Sequence, residues 1–348
     1  MAGKSIVHWF PGHMAGGLRR MKEVIRTCDL VVEVRDARAP LSTANPLLKE
    51  LAPTKPRLLL LNKADLAATR PLHHAYKAIL RDELGMAAGP GQTPAQRPGE
   101  KLFVLTTNAR NARLTGKKIL DWAKVHAAPK FVTGGTMIMV CGMPNVGKST
   151  ILNALRGAAH AGSGTWNKQV AAIGDSAGVT RRAQLFCVGT NPLMYMVDTP
   201  GIFVPRIEDD ATGIKLAMLG CVPEHTMHHV QLSQEILSVL NSKLAWQMRY
   251  MDFLRLKQPV ESVEEVFHRV ERQAGAMGKH NEEQQRMCSR YFIRCFREGK
   301  LGRVYLDPSP SISEREQRMD REGASDDSML PRASSTRRAE VFNLDEIM

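Results

Sequence analysis

The stretch TMIMVCGMPNVGKS, Thr136 to Ser149, decides the fold. Its apolar half predicts a buried strand, and its second half satisfies the pattern GxxxxGK(S/T) directly before a helical stretch. The glycines of such a loop let backbone N–H groups close around a phosphate at the helix N-terminus. We expect Lys148, a candidate catalytic residue, to contact the β- and γ-phosphates and the Ser149 hydroxyl to bind Mg²⁺. The candidate nucleotide-binding residues of this loop are Asn145, Val146, Gly147, Lys148, Ser149 and Thr150.

A second nucleotide motif lies far upstream, in the stretch RLLLLNKADLA, Arg57 to Ala67. An Asn-Lys-x-Asp sequence that follows an apolar run is typical of a guanine reader. In this interpretation Asp65 accepts the N1–H and N2–H groups of guanine, which adenine does not offer. Asn62 bridges the base to neighbouring loops, and the stem of Lys63 covers the base face. In an ordinary GTPase the phosphate loop comes first, so the order of the two motifs is itself informative.

A third motif, Asp198-Thr-Pro-Gly201, follows the apolar run LMYMV. At the end of a strand, this DxxG pattern positions Asp198 to hold Mg²⁺ through water, and the Gly201 N–H to contact the γ-phosphate. Thr180 is the natural second Mg²⁺ ligand from the preceding loop, and it is a candidate catalytic residue. The alternative for Thr180 is that it caps a turn.

Three long apolar runs precede the phosphate loop, DLVVEVRDA (29–37), RLLLLNKAD (57–65) and KLFVLTTNA (101–109). Continuous Val, Leu and Ile runs are typical of parallel strands that are covered on both faces. AQLFCVG and LMYMVDT predict an antiparallel pair or two neighbouring strands. We expect Thr107 and Asn108, at the end of the third run, to form a second base-contacting loop. The sequence therefore predicts an α/β fold with a mostly parallel sheet and helices on both faces.

Beyond about residue 222 the pattern becomes helical. The stretch ESVEEVFHRVERQAG repeats apolar residues at helical spacing and predicts one buried stripe, formed by Val263, Val266, Phe267 and Val270. A Pro/Gly-rich stretch at 87–99 predicts a loop insertion. The expected divisions are an N-terminal arm and helix (1–28), the nucleotide-binding domain (29–221), a small all-α domain (222–306) and a mostly disordered, polar tail (307–348).

The composition favours a polyanionic partner. The net charge is +13 and the pI is near 9.6, which indicates nucleic acid before membrane, although peripheral membrane contact stays open. The cysteines are irregularly spaced without a CxxC pair, and we interpret them as reduced core residues rather than zinc ligands. They are Cys28, Cys141, Cys187, Cys221, Cys288 and Cys295.

A row of arginines near the C-terminal end of the helical part gives a candidate RNA-binding face. It consists of Arg286, Arg290, Arg294 and Arg297. At helical spacing these side chains share one face, where guanidinium groups fit phosphate oxygens. The adjoining residues are expected to pack on the domain core, namely Met287, Cys288, Tyr291, Phe292 and Cys295. The alternative is a solvated basic face without a ligand.

The order of the motifs is base reader, base loop, phosphate loop, switch threonine and DxxG. This order resembles the circularly permuted GTPases, specifically the RbgA/YlqF ribosome-assembly family. Three further stretches carry the resemblance, HWFPGHMAGGLRRM (8–21), DARAPLSTANP (36–46) and FREGKLGRVYLD (296–307). The resemblance covers residues 6–306 and is strongest to the mitochondrial ribosome-associated members. It implies a circularly permuted P-loop GTPase domain that uses GTP/GDP and Mg²⁺.

The resemblance also implies a mechanism. Ile202 stands after DxxG, where a water-orienting Gln is found in other GTPases, so intrinsic hydrolysis is expected to be slow and stimulated by the partner. The family points to His13 as the catalytic group, and the alternative is that His13 orders the N-terminal arm. Asn145 matches the position that helps to hold K⁺ in related GTPases.

The resulting hypothesis is a GTPase that binds the precursor of the large ribosomal subunit, through rRNA and proteins, as a late assembly checkpoint. Other assembly factors are possible partners, a monomer is expected, and the mitochondrial matrix is the expected location, with the cytoplasm as the alternative. The start MAGKSIVHWF carries neither a secretory core nor a long transit peptide, and a short or removed organelle signal stays open. The alternative functions are a protein-binding switch in signalling and an RNA-binding scaffold with negligible turnover.

Overall fold

The computed structural model describes residues 22–45, 47–52, 55–69, 71–75, 79, 102–108, 112–126, 135–159, 184–190, 192–198, 207, 209–223, 226–274 and 282–308. Three predicted site residues, His13, Thr180 and Gly201, lie outside the described residues. The predicted loop at 87–99 and residues 309–348 also lie outside them. Asp198 is described as the last residue of a strand.

The described chain alternates strands and helices and then becomes helical. Its strands are β1 (Leu30–Asp36), β2 (Arg57–Asn62), β3 (Leu102–Thr106), β4 (Thr136–Gly142), β5 (Gln184–Thr190) and β6 (Leu193–Asp198). Its helices are α1 (Leu47–Leu51), α2 (Ala112–His126), α3 (Lys148–Ala159), α4 (Asp210–Leu219), α5 (His229–Asn241), α6 (Leu244–Leu254), α7 (Val263–Ala274) and α8 (Glu282–Arg297). Among the helices described, none is both long and apolar enough to span a membrane.

The six strands form one sheet in the order β3-β2-β1-β4-β6-β5. Neighbouring strands are parallel except β5 and β6, which pair antiparallel with a register irregularity between Cys187 and Gly189. Every residue of β1 and β2 is buried, as expected for strands covered on both faces. The predicted fold class is therefore confirmed. Parallel strands present their carboxyl ends at one edge of the sheet, which is where ligands bind in such folds.

Close packing of α2 on α3 covers one face of the sheet. It depends on Gly116, because a Cβ atom at this position would lie 2.4 Å from the carbonyl oxygen of Ala154. A side chain there would push the two helices apart. Gly116 therefore fixes the distance between α2 and α3, the helix that begins at the phosphate loop.

The helical part shares its hydrophobic core with the sheet. One continuous cluster of buried residues runs from Val140 in β4 to Phe292 in α8. The predicted stripe on α7 is confirmed, since all four of its residues are buried, namely Val263, Val266, Phe267 and Val270. Because no break in the core separates the sheet from the helices within the described residues, the domain boundary after residue 221 stays a prediction.

The predicted polar tail starts at a residue that packs on the nucleotide-binding domain. Asp307, its expected first residue, is buried, and its carboxylate accepts hydrogen bonds from the backbone N–H groups of Leu41 (2.6 Å) and Ser42 (3.3 Å) and from the Ser42 hydroxyl. Just before it, the Val304 N–H donates to the Leu66 carbonyl oxygen (3.2 Å). These contacts tie the chain after α8 to the loops that follow β1 and β2, and they explain why Asp307 is ordered.

All six cysteines are free, and five are buried as predicted. Burial raises the pKa of Cys221 to about 12 and that of Cys288 to about 11, so both are protonated thiols at neutral pH. The prediction is wrong for Cys187, which is exposed. Side chains alternate between the two faces along β5, and the neighbours of Cys187 on either side, Phe186 and Val188, point into the core.

Candidate nucleotide-binding site

The base-reading motif forms a tight turn at the carboxyl end of β2. The backbone of Lys63 adopts a left-handed conformation with φ 60°, and a short 3-10 turn follows, Ala64–Leu66, which carries the half-buried Asp65. The Ala64 N–H donates to the Thr107 carbonyl oxygen (3.0 Å), and the Thr107 N–H donates to the Leu61 carbonyl oxygen (2.9 Å). The structure therefore brings the NKAD turn and the loop at Thr107 and Asn108 together.

The phosphate loop connects β4 to α3 as predicted. Within it, Asn145 has φ 57° and Gly147 has φ 97°, both in the left-handed region. The Lys148 ammonium group donates to the Met143 carbonyl oxygen at 2.8 Å, so the lysine lies across the loop. Ser149 and Thr150 stand in the first turn of α3, where backbone N–H groups point out of the helix.

Direct hydrogen bonds join the two motifs although 84 residues separate Asn62 from Val146. The Asn62 amide donates to the Val146 carbonyl oxygen (2.8 Å), and the Lys63 ammonium group donates to the Asn145 carbonyl oxygen (2.6 Å). A Cβ atom at Gly147 would lie 2.1 Å from the Asn62 amide nitrogen, so this position requires glycine both for space and for its φ angle. Both motifs belong to one site.

A buried carboxylate that sequence reasoning did not assign to the site supports the base reader. Asp36 ends β1 and is fully buried, and Arg38 donates to both of its oxygens (2.9 and 2.8 Å) while the Lys63 ammonium group lies 3.1 Å away. Burial alone would raise the pKa of Asp36, but the charges of Arg38 and Lys63 outweigh it and hold that pKa well below its usual range. The sequence did carry a sign of this role, because Asp36 stands at the end of the apolar run DLVVEVRDA as Asn62 does in RLLLLNKAD. In the sheet the two residues pair in register.

Asn145 also contacts the end of α4. Its side-chain amide donates to the Gly220 carbonyl oxygen at 2.8 Å, just after the last residue of α4. The NH₂ group of the Asn145 side chain therefore has a partner within the protein. A role of Asn145 at a K⁺ ion stays a prediction.

The residues predicted to hold Mg²⁺ have suitable chemistry. Ser149 lies at the start of α3, and the backbone of Asp198 pairs in register with Val140, two residues before the phosphate loop begins at Gly142. A hydroxyl group and a carboxylate are the oxygen ligands that Mg²⁺ prefers. The chain therefore brings the start of DxxG beside the phosphate loop, as magnesium-dependent phosphate binding requires.

A cleft of about 810 Å³ lies between the phosphate loop and α8. On one side it is lined by Lys63, Lys148 and Ser149, and on the other by Arg290 and Arg294. The candidate nucleotide site therefore opens onto the helix that carries the arginine row.

The arginine row divides into two parts. Arg286, Arg290 and Arg294 are exposed, and Arg294 makes a long ion pair with Glu298 (3.8 Å). Arg297 points inward and donates to the carbonyl oxygens of Met218 (3.1 Å) and Ala217 (2.9 Å) in the last turn of α4. The structure therefore gives Arg297 an internal partner instead of a place on the exposed face.

The apolar neighbours of the arginine row match the prediction with one exception. Cys288, Phe292 and Cys295 are buried, and Tyr291 is half-buried. Met287 is 67% exposed, so its expected packing on the core is wrong. It lines the cleft beside Arg290 instead.

A base-reading turn, a phosphate loop and the start of a DxxG motif at one edge of a mostly parallel sheet define a P-loop GTPase, here in circularly permuted order. A sequence profile described as "50S ribosome-binding GTPase" matches residues 137–273. The chain is 34% identical over 319 residues to Mitochondrial ribosome-associated GTPase 1 of Xenopus tropicalis, which covers 87% of this chain and 95% of the relative.

Two further similarities agree. Ribosome biogenesis GTPase A of Bacillus cereus is 29% identical over 310 residues, 89% of this chain and 96% of its own. The crystal structure of GNP-bound YlqF from T. maritima has a TM-score of 0.55 at 22% identity, and it covers 85% of this chain and 100% of that chain. The chain belongs to the RbgA/YlqF family of circularly permuted, ribosome-associated GTPases.

Proposed function

We propose that this protein is a GTP hydrolase that binds the precursor of the mitochondrial large ribosomal subunit, acts as a late assembly checkpoint and leaves after hydrolysis. The observation that carries the proposal is the direct hydrogen bonding between the guanine reader and the phosphate loop, Asn62 to Val146 and Lys63 to Asn145. The ribosomal and mitochondrial parts rest on the names of relatives, "Mitochondrial ribosome-associated GTPase 1" and "Ribosome biogenesis GTPase A".

In this proposal each loop contacts one part of the nucleotide. Asp65 accepts the N1–H and N2–H groups of guanine, and Thr107 and Asn108 contact the base from the neighbouring loop. The backbone N–H groups from Val146 to Thr150 surround the phosphates at the N-terminus of α3. The hydrogen bonds that hold the NKAD turn against the loop support this division, because they fix the distance between base and phosphate sites.

Ser149, Thr180 and Asp198 would hold Mg²⁺, which supplies positive charge to the phosphate oxygens when it is bound. Lys148 contributes charge at the β- and γ-phosphates, and the Gly201 N–H contacts the γ-phosphate. These residues position the γ-phosphate and bind its charge before hydrolysis.

Hydrolysis needs a polar group that orients water, and Ile202 after DxxG cannot do so. We propose that His13 supplies this function when the ribosomal subunit orders it, which makes intrinsic turnover slow and stimulated turnover fast. Asn145 is the candidate K⁺ ligand of this arrangement.

The exposed part of the arginine row is the proposed rRNA contact. Arg286, Arg290 and Arg294 are exposed on one helix that borders the nucleotide cleft, and the chain carries a net charge of +13. Each guanidinium group can donate two parallel hydrogen bonds to the oxygens of one phosphate, so this row fits an RNA backbone. Arg297 is omitted from the contact because its side chain is bonded to α4.

The decisive experiment changes Asp65→Asn and compares GTP with xanthosine triphosphate. Xanthine offers a carbonyl oxygen where guanine has an amino group, so the variant is expected to lose GTP affinity and to gain affinity for the xanthine nucleotide. Turnover with isolated mitochondrial large subunits is then measured for both proteins with both nucleotides.

Recovery of subunit-stimulated turnover by the variant with xanthosine triphosphate supports both the base reader and the ribosomal role. Unchanged GTP affinity contradicts the assignment of Asp65. Nucleotide binding without co-sedimentation on large subunits favours a protein-binding switch, and co-sedimentation without turnover favours a scaffold.

A further inference from the structure

The last turn of α8 contacts the nucleotide-binding domain through both the backbone and the side chain of Arg297. Its carbonyl oxygen accepts a hydrogen bond from the Arg38 guanidinium at 3.1 Å. Its side chain donates to the carbonyl oxygens of Met218 and Ala217. Two separate series of hydrogen bonds and ion pairs therefore lead from Arg297 into the nucleotide-binding domain. The first route starts at its backbone carbonyl oxygen and the second at its side chain.

The first route passes through the buried ion cluster. Arg38 binds Asp36 with two side-chain hydrogen bonds, and Lys63 contacts the same carboxylate at 3.1 Å. The Lys63 ammonium group then donates to the Asn145 carbonyl oxygen at 2.6 Å. With side chains of Asp36 and Arg38 almost completely buried, water does not compete for these bonds.

The second route passes through the end of α4. Arg297 donates to the carbonyl oxygens of Met218 and Ala217 in the last turn of this helix, and the Ala217 oxygen also accepts the N–H of Gly220 (3.0 Å). Gly220 follows in a left-handed conformation with φ 74°, and its carbonyl oxygen accepts the Asn145 amide at 2.8 Å. A Cβ atom on Gly220 would lie 3.0 Å from the Arg297 guanidinium carbon, which shows how closely the two pack.

Both routes end on Asn145, one at its carbonyl oxygen and the other at its side-chain amide. Asn145 has φ 57°, a conformation that a non-glycine residue keeps only when its surroundings hold it. The contacts form a closed ring, Arg297–Arg38–Asp36–Lys63–Asn145–Gly220 and back through the end of α4.

We propose that Arg297 is a positioning residue of the nucleotide site: through this ring it holds Asn145, and with it the phosphate loop, in the conformation that retains guanine nucleotide. The inference rests on the proposed function in that nucleotide binds at this loop. Because the same helix presents Arg290 and Arg294 to solvent, a polyanion that displaces α8 also changes how firmly the nucleotide is held.

The test measures dissociation of a fluorescent GDP analogue from the full-length protein without ribosomes. Arg297→Ala is expected to raise the dissociation rate about tenfold, since it removes two hydrogen bonds from a charged donor. Arg297→Lys keeps the charge but loses the planar guanidinium group that donates to two carbonyl oxygens at once. A smaller increase in the dissociation rate, of about threefold, is therefore expected. Arg272→Ala, an exposed arginine in the last turn of α7, is the matched control, with an unchanged rate.

A double-mutant cycle separates positioning from general destabilisation. If Arg297 acts through Asn145, the Asn145→Ala and Arg297→Ala variants each speed dissociation, and the double variant is no faster than the faster single variant. Rates that multiply in the double variant overturn the inference. An unchanged rate in both Arg297 variants, at a temperature where melting curves show them folded, also overturns it, whereas a wild-type protein that binds no guanine nucleotide overturns the proposed function instead.

Discussion

Replacement of Asp36 by Asn tests whether the buried ion cluster below the base reader stabilises the fold. The side chains of Asp36 and Arg38 are 0% and 1% exposed, so the pair is sealed from solvent. An amide keeps the shape of the carboxylate but loses its charge and presents an NH₂ group in place of one acceptor oxygen. The Arg38 guanidinium then remains buried without a counter-charge from Asp36, and Lys63 loses the same partner.

The magnitude follows from burial. Breaking a buried ion pair by removing one partner costs about 3–5 kcal/mol, because the remaining charge stays desolvated. The chain offers a matched control in Asp121→Asn, because the Asp121 side chain is 55% exposed and its carboxylate lies 3.3 Å from the Lys124 ammonium group. An exposed pair contributes about 0–1 kcal/mol, so the same chemical change is expected to have little effect there.

The pH dependence has a definite sign. Because the pKa of Asp36 is lower in the folded chain than in the unfolded chain, its ionised form stabilises the fold at neutral pH. This contribution is present above the ordinary carboxyl pKa of about 4 and is lost as the pH falls towards the lower folded value. The Asp36→Asn variant lacks this group, so its stability falls less steeply on acidification.

Urea unfolding, followed by circular dichroism at neutral pH and at a series of acidic values, measures both effects. The free energy of unfolding of Asp36→Asn is expected to fall by several times the change seen for Asp121→Asn. Equal losses in the two variants would refute the reasoning, because the cluster would then behave as a surface ion pair. If the free energy of unfolding falls as steeply with decreasing pH in Asp36→Asn as in the wild type, other carboxyl groups control the acid dependence.

Two further predictions concern the partner. Reversing Arg290 and Arg294 to Glu is expected to weaken co-sedimentation with large subunits and to lower the slope of log affinity against log salt by about two. The control Arg272→Glu is expected to leave both the co-sedimentation and the slope unchanged. An undiminished slope in the Arg290 and Arg294 variant places the RNA contact elsewhere. His13→Ala is expected to leave GTP affinity nearly intact and to lower subunit-stimulated kcat by about a hundredfold; an unchanged stimulated kcat assigns His13 to ordering the N-terminal arm.

The sheet was predictable because each strand coincides with an apolar run in the local sequence. The run TMIMVCG coincides with β4, and the stripe on α7 is buried residue for residue. Continuous apolar runs indicate burial on both faces without knowledge of the neighbours. The juxtaposition of the two motifs also followed, since parallel strands bring their carboxyl ends to one edge.

What the sequence did not predict depends on partners distant along the chain. Helical spacing predicts that four arginines share a face. It does not predict that the last of them, Arg297, donates to carbonyl oxygens in the last turn of α4. It equally leaves open which side of α8 is covered, and Met287 is exposed for this reason. Asp307 reads as the start of a polar tail until Ser42 is known to lie beside it.

The permuted order of the motifs gives α4 a special position. The chain leaves the sheet after Asp198, passes the DxxG residues and begins α4, where Asp209 accepts the Thr212 N–H at 2.7 Å. The same helix ends at Gly220, bonded to Asn145 of the phosphate loop. In a chain with the phosphate loop first, the segment after DxxG leads onward to the base reader, whereas here it leads into α4 and then the helical part. One helix of ten residues therefore follows the DxxG residues along the chain and is hydrogen-bonded, at its C-terminal end, to the phosphate loop through Asn145 and to α8 through Arg297. Under the proposed function, this is the connection through which a change of nucleotide state at the phosphate loop would reach α8 and be read by a large partner.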